Sequence, residues 1–149
     1  MTTLLLHATA VAIDGRGVLI RGPSGAGKSD LALRLIDRGA RLVADDQCAL
    51  RREGDRAMIC APAAIAGLLE LRGIGIARLD ALAEAPLELV VDLVRPEAIE
   101  RLPEPRCETI LGIEFPVIAL APFEPSAPAK LRVALAGSIA MPGRPASPG

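Results

Sequence analysis

Aromatic side chains are nearly missing from this chain: it has no Trp and no Tyr, and Phe115 and Phe123 are its two Phe in 149 residues. That scarcity excludes aromatic stacking platforms for bases, and it leaves a core of Leu, Ile, Val and Ala inside a composition that is 51% hydrophobic. An excess of one charge is missing too. With 17 basic residues against 18 acidic ones the formal net charge is −1, so no global field holds a polyanion such as DNA or an acidic membrane surface. Neither nucleic acid nor a membrane is an expected partner. Cysteine is sparse, and Cys48, Cys60 and Cys107 form no CxxC pair, which speaks against disulfides or a zinc site and for reduced thiols in a cytoplasmic protein. The opening MTTLLLHATAVAIDG has no basic segment before its apolar run and is interrupted by His7, so it reads as structure and not as a signal. No run reaches the ~18 apolar residues that a membrane-spanning helix needs. The length suits one domain with one core.

What the chain does have is GPSGAGKS, formed by Gly22, Pro23, Ser24, Gly25, Ala26, Gly27, Lys28 and Ser29. The G-x-x-x-x-G-K-S spacing is that of a P-loop. Its glycines let backbone N–H groups curl around phosphate oxygens, its lysine neutralises the β/γ charge, and its serine hydroxyl can ligate Mg²⁺. The context agrees, because an apolar strand precedes the loop and a helical pattern follows.

Around the loop, apolar runs at 8–13 and 18–21 flank Asp14-Gly15-Arg16-Gly17 and predict a hairpin. Leu31, Ala32, Leu35 and Ile36 recur at helical spacing, with Gly39 as the stop. Residues 41–44 read as a buried strand that delivers Asp45 and Asp46 at its C-terminal end, where ligands of open α/β sheets bind. A second hairpin is expected around Glu53-Gly54-Asp55. Further on, the pattern predicts a weak helical turn at 62–69, a strand at 87–94, a short helix at 96–102 and an edge strand at 113–120 broken by Pro116. A helix over 129–136 has Pro128 in its first turn. The Gly, Pro and Ser content of 137–149 predicts a disordered tail, leaving 1–136 as the catalytic domain.

Phosphoryl transfer needs carboxylates, one near the metal and often one to orient or deprotonate the acceptor. Asp45 lies only sixteen positions after Ser29, room for one helix and one turn. In Glu70-Leu71-Arg72-Gly73-Ile74-Gly75-Ile76, Glu70 and Arg72 share a side of an extended segment, and the glycines allow close approach to a ligand.

VLIRGPSGAGKSDLALRLIDRGARLVADD (18–46) followed by LELRGIGI (69–76) resembles the catalytic domain of HPr kinase/phosphorylase, with similarity over most of 4–94. The resemblance implies an α/β P-loop nucleotide-binding fold related to the nucleotide domain of phosphoenolpyruvate carboxykinase, a central mixed β-sheet with flanking helices. It implies an enzyme that uses ATP and Mg²⁺ to phosphorylate a serine of HPr, the phosphocarrier of the sugar phosphotransferase system. The same family reverses this with inorganic phosphate, releasing pyrophosphate, and assembles as a hexamer. Carried onto this chain, Gly22 to Ser29 hold the phosphates, with Lys28 on the β-phosphate and Ser29 near Mg²⁺. Asp45 is the base toward the acceptor serine and the acid in reverse, Asp46 and Glu70 assist the metal, Arg72 belongs to the signature loop, and His7 supports the active site.

Three departures qualify the match. The separate N-terminal domain of long members has no counterpart, as in the short forms of α-proteobacteria. Asp30 stands where a Glu is usual. The arginine-containing loop near the family's C-terminus has no clear counterpart in 121–130; Lys130, at its end, or Arg132, just beyond it, are the candidates to replace its charge. Two other readings stay open on the sequence: a P-loop kinase of small molecules, which would phosphorylate a metabolite, and a nucleotide-sensing module with weak catalysis, which would bind nucleotide without turnover.

Overall fold

Residues 2–137 are described in a computed structural model of the chain. A first strand, β1 (Thr3–Leu6), precedes β2 (Thr9–Ile13) and β3 (Arg16–Arg21). The last two pair antiparallel around Asp14 and Gly15, both with positive φ, as a type I′ turn needs. The P-loop leads into α1 (Lys28–Asp37), and β4 (Arg41–Ala44) follows. Next comes the hairpin of β5 (Cys48–Glu53) and β6 (Arg56–Cys60), then a 3-10 turn at Ala63–Ile65 in place of a longer helical segment.

Here the chain departs from the sequence pattern. ELRGIGI is not one extended segment: β7 (Leu68–Leu71) and β8 (Gly75–Arg78) form a separate two-stranded hairpin, closed by the Ile74 N–H donating to the Leu71 carbonyl at 2.9 Å. Arg72 therefore sits in the turn. The long β9 (Glu84–Leu93) is followed by a single 3-10 turn at Pro96–Ala98, and then β10 (Arg106–Ile110), β11 (Ile113–Leu120) and α2 (Ala127–Leu135). β11 is neither broken nor an edge. Pro116 faces Cys107 of β10, and the parallel ladder to β9 begins one residue later, at Val117, so the missing N–H falls outside that ladder. The expected disordered tail lies outside the described residues except for Gly137.

The main sheet has nine strands, with the path β1-β5-β6-β9-β3-β2-β4 and β11 and β10 branching from β9. β9 forks the sheet: Glu84, Ala85 and Pro86 pair with β6, whereas its later residues pair with β11 on that side and with β3 on the other. β3, β9 and β11 are parallel, and their C-terminal ends open onto residues 22–27, 94–96 and 121–126. Antiparallel β2 separates β3 from β4, which brings Asp45 to the same end.

Both helices lie on one face. Leu31 and Leu35 of α1 and Leu131 and Leu135 of α2 share a buried cluster with Val18, Ile20, Leu89 and Val91. The opposite face has no helix among the described residues; Leu19, Val90 and Phe115 are covered there by Leu50 and Ile59 of the β5–β6 hairpin. The expected flanking helices are thus both on one face, and the other face is covered by the sheet curled onto itself. Ala8, Ala10, Ala12, Ala44, Ala57 and Ala85 line this second core, and their small side chains let the curled layers approach closely.

Candidate active site

α1 starts at Gly27 with no side-chain cap, so its first-turn N–H groups and those of the preceding loop form a concave donor surface for an anion. Gly27 has φ +103°, and a Cβ there would come within 2.8 Å of the Phe123 ring. Only glycine fits between that ring and the loop. The Lys28 ammonium is buried, donating to the carbonyls of Gly22 at 2.7 Å and Pro23 at 3.1 Å, which holds it across the mouth of the loop.

The two aspartates face different surroundings. Asp46 has φ +71°, and Gln47 N–H donates to the Asp45 carbonyl across it at 2.8 Å, so the chain reverses within one residue. Asp45 points inward and is 7% exposed. Its Oδ1 accepts from Ser29 Oγ at 2.7 Å and Thr9 Oγ1 at 2.9 Å, and its Oδ2 accepts from the Glu70 N–H at 3.1 Å. Asp46 points outward, with its Oδ1 3.4 Å from His7 Nε2 and both side chains more than half exposed. Thr9, missed in the sequence because it reads as one polar residue in an apolar strand, is fully buried between them; its hydroxyl also accepts from the Asp46 N–H at 3.4 Å. The neighbouring Cys48 thiol is pushed up to about 12 by burial and then by the Asp45 charge, so it stays a protonated core group and not a nucleophile.

A cleft of about 290 Å³ collects Lys28, Ser29, Asp46, Glu70 and Arg72 with Phe123. The structure thus brings together the P-loop, both aspartates and the Glu70/Arg72 signature, with His7 joined through Asp46. A larger cleft of about 670 Å³ lies on the other side of the loop, lined by Pro23, Ala26, Leu93, Arg95, Pro122 and Phe123 among others. Asp46 and Glu70 line the smaller one, beside Lys28 and Ser29. Neither Lys130 nor Arg132 lines either cleft: Lys130 pairs with Glu124 at 3.0 Å, and Arg132 donates to the Arg38 carbonyl at 2.9 Å, at the C-terminal end of α1, where a cation is favoured. The expectation that one of them replaces the missing loop arginines fails for that reason. Asp30 has a partner, pairing with Arg34 at 3.0 Å, while Arg34 also donates to the Pro122 and Glu124 carbonyls and ties residues 121–126 to α1.

Immediately before the P-loop, Arg21 is held by two carboxylates. It donates to both oxygens of Asp92 at 2.8 and 3.1 Å and to both of Glu108 at 2.6 and 2.9 Å. These bonds raise the Arg21 pKa further above its ordinary value, and Arg21 holds the Glu108 carboxyl below the usual range.

The profile of the HPr Serine kinase C-terminal domain matches residues 1–126. The chain belongs to this family. The HPr(Ser) kinase/phosphatase of Coxiella burnetii superposes with a TM-score of 0.77 at 34% identity, over 87% of this chain and 92% of that one. The HPr kinase/phosphorylase of Exiguobacterium sp. (strain ATCC BAA-1283 / AT1b) is 54% identical over 72 residues, which are 48% of this chain and 23% of that protein. That of Listeria monocytogenes (strain HCC23) is 53% identical over 72 residues, again 23% of its length. The chain thus spans about a quarter of the curated relatives it matches. As a member of the HPr serine kinase C-terminal domain family it shows that domain's mixed sheet and helices, while residues 121–126, at the end of the matched region, carry the exposed Phe123.

Proposed function

We propose that this chain transfers the γ-phosphoryl group of ATP to a serine of an HPr-type phosphocarrier protein and runs the reverse reaction with inorganic phosphate. Family membership supports the reaction class. The observation that carries the mechanism is the division of labour between the two adjacent aspartates.

Asp45 is buried and already accepts three hydrogen bonds, so its carboxylate is committed to groups of its own chain and is screened from an incoming protein. Asp46 is exposed, next to His7 and on the rim of the phosphate cleft. This geometry supports exchanging the roles expected from the resemblance: Asp46 takes the acceptor proton, and Asp45 stands behind Ser29 on the metal side. In the forward direction the serine oxygen attacks the γ-phosphorus, the bond from phosphorus to the ADP oxygen breaks, and the serine proton passes to Asp46. In reverse, a phosphate oxygen attacks the phosphoserine phosphorus, the serine oxygen leaves with the proton of Asp46, and pyrophosphate departs. Lys28 and the loop N–H groups hold the phosphates in both directions.

The donor set fits Mg²⁺. Ser29 and Asp45 offer oxygen alone, and no group of three His, Cys, Asp or Glu among the described residues forms a dedicated cage. Mg²⁺ takes one or two protein oxygens beside the phosphates. Ser29 Oγ would hold it, polarised by its bond to Asp45, with Glu70 on the same cleft; when bound, it neutralises phosphate charge.

The test is a transfer assay with ATP, Mg²⁺ and an HPr-type carrier, read as gain of one phosphate by intact mass. Asp46→Asn should lower the transfer rate by about 10²–10⁴-fold, the range for loss of a general base, while nucleotide affinity holds. Asp45→Asn should instead raise the Mg²⁺ concentration needed for binding. If the two variants give the opposite pattern, the roles return to the original assignment. No transfer by the wild-type chain, with ATP bound, rejects the kinase in favour of a sensing module.

A further inference from the structure

We propose that the larger cleft beside the P-loop is the nucleoside site of the phosphoryl donor, with Phe123 as the surface on which the base stacks. The proposal rests on the donor reading above and extends it to residues outside the P-loop.

The parallel strands β3, β9 and β11 end side by side, and the segments that follow them, 22–27, 94–96 and 121–126, line this cleft. Ligands of parallel sheets bind at that end. The carboxylates occupy the β4 side of the P-loop, and the apolar cleft lies on the β9 and β11 side. A nucleotide divides the same way, with a highly charged end and a flat, weakly polar base. A cleft of about 670 Å³ falls in the range of small-molecule and cofactor sites.

Phe123 is the second observation. In a chain with two aromatic residues, this ring is 67% exposed on a backbone segment tied to α1. It packs on Gly27, and its neighbours Pro122 and Glu124 accept hydrogen bonds from Arg34. It borders both the phosphate cleft and the apolar one. An exposed ring offers its apolar face to a base, and stacking covers that face. Arg95 lines the same cleft, is exposed and forms no ion pair among the described residues, leaving its guanidinium available to a nucleotide's base or phosphates. The scarcity of aromatics rules out a row of rings for successive bases, but a single nucleoside needs one.

The probes are ATP and inorganic triphosphate, which share the phosphate chain and differ in the nucleoside. Titration calorimetry with Mg²⁺ on the wild type, Phe123→Ala and Phe123→Trp gives the ratio of the two affinities. In the wild type ATP should bind more tightly than triphosphate. Phe123→Ala should reduce that preference about tenfold, the scale of one base stacked on one ring, and Phe123→Trp should restore it. An unchanged ratio in Phe123→Ala, with both probes still binding, overturns this site and leaves the donor reading standing. Failure of both probes to bind the wild type overturns the donor reading and the nucleoside site with it.

Discussion

Thr9 shows how much one hydroxyl can hold. It is fully buried in β2, donates to Asp45 Oδ1 at 2.9 Å and accepts from the Asp46 N–H at 3.4 Å. The first bond orients the carboxylate that receives Ser29; the second supports the positive-φ turn that sends Asp46 outward, a conformation that costs on the order of 1–3 kcal/mol outside glycine. Thr9→Val keeps the shape and removes both bonds. It should destabilise the fold by about 1–3 kcal/mol, the cost of leaving buried polar groups without partners, and lower the rate of transfer to the carrier by more than it changes ATP affinity. Thr9→Ser should recover the rate. If Thr9→Val loses stability but its rate is unchanged, the residue serves packing alone.

Elements near the P-loop are tied by charge as well as by ladders. Arg21, at the end of β3, clamps Asp92 of β9 and Glu108 of β10, so three strands meet at the residue preceding Gly22. Glu108 has its folded pKa lowered, chiefly by its hydrogen bonds from Arg21. A depressed carboxyl pKa contributes stability above the unfolded value of ~4.3 and loses it as pH falls through the folded value. Glu108→Gln should therefore unfold at lower urea concentration than the wild type at neutral pH, by about 1 kcal/mol or less because Glu108 is partly solvated. The gap should close as pH drops below ~4. A gap that persists at acid pH would assign the effect to packing. The element scale is also where the sequence was read unevenly. The β2–β3 hairpin, α1 and β4 carry local signals: a turn dipeptide, a 3.6-residue repeat and a short apolar run. The β10–β11 turn is Leu111-Gly112, with no Asn or Asp to mark it, and the β7–β8 strands are four residues each, too short for alternation to register.

At the scale of the whole molecule, β9 decides whether the chain is one unit or two. It sends Leu89 and Val91 to the helix-covered core and Leu87 and Val90 to the core covered by the β5–β6 hairpin, and it pairs with β6, β3 and β11 in turn. None of these pairings has a local signature, because each joins residues far apart in the chain; the P-loop and its aspartates could be read from a few adjacent letters, but the curl of the sheet and the position of Phe123 against Gly27 could not. The physical consequence is cooperativity. Leu50 is fully buried in the hairpin-covered core, away from the helices and the phosphate cleft, so Leu50→Ala should cost about 2–5 kcal/mol. Because β9 is shared, that loss should lower one common unfolding transition, seen alike by far-ultraviolet circular dichroism and by calorimetry, and ATP should raise the same transition. If Leu50→Ala instead splits unfolding into two steps, with ATP protecting the later one alone, the curled hairpin is a separate folding unit and β9 does not transmit its stability to the site.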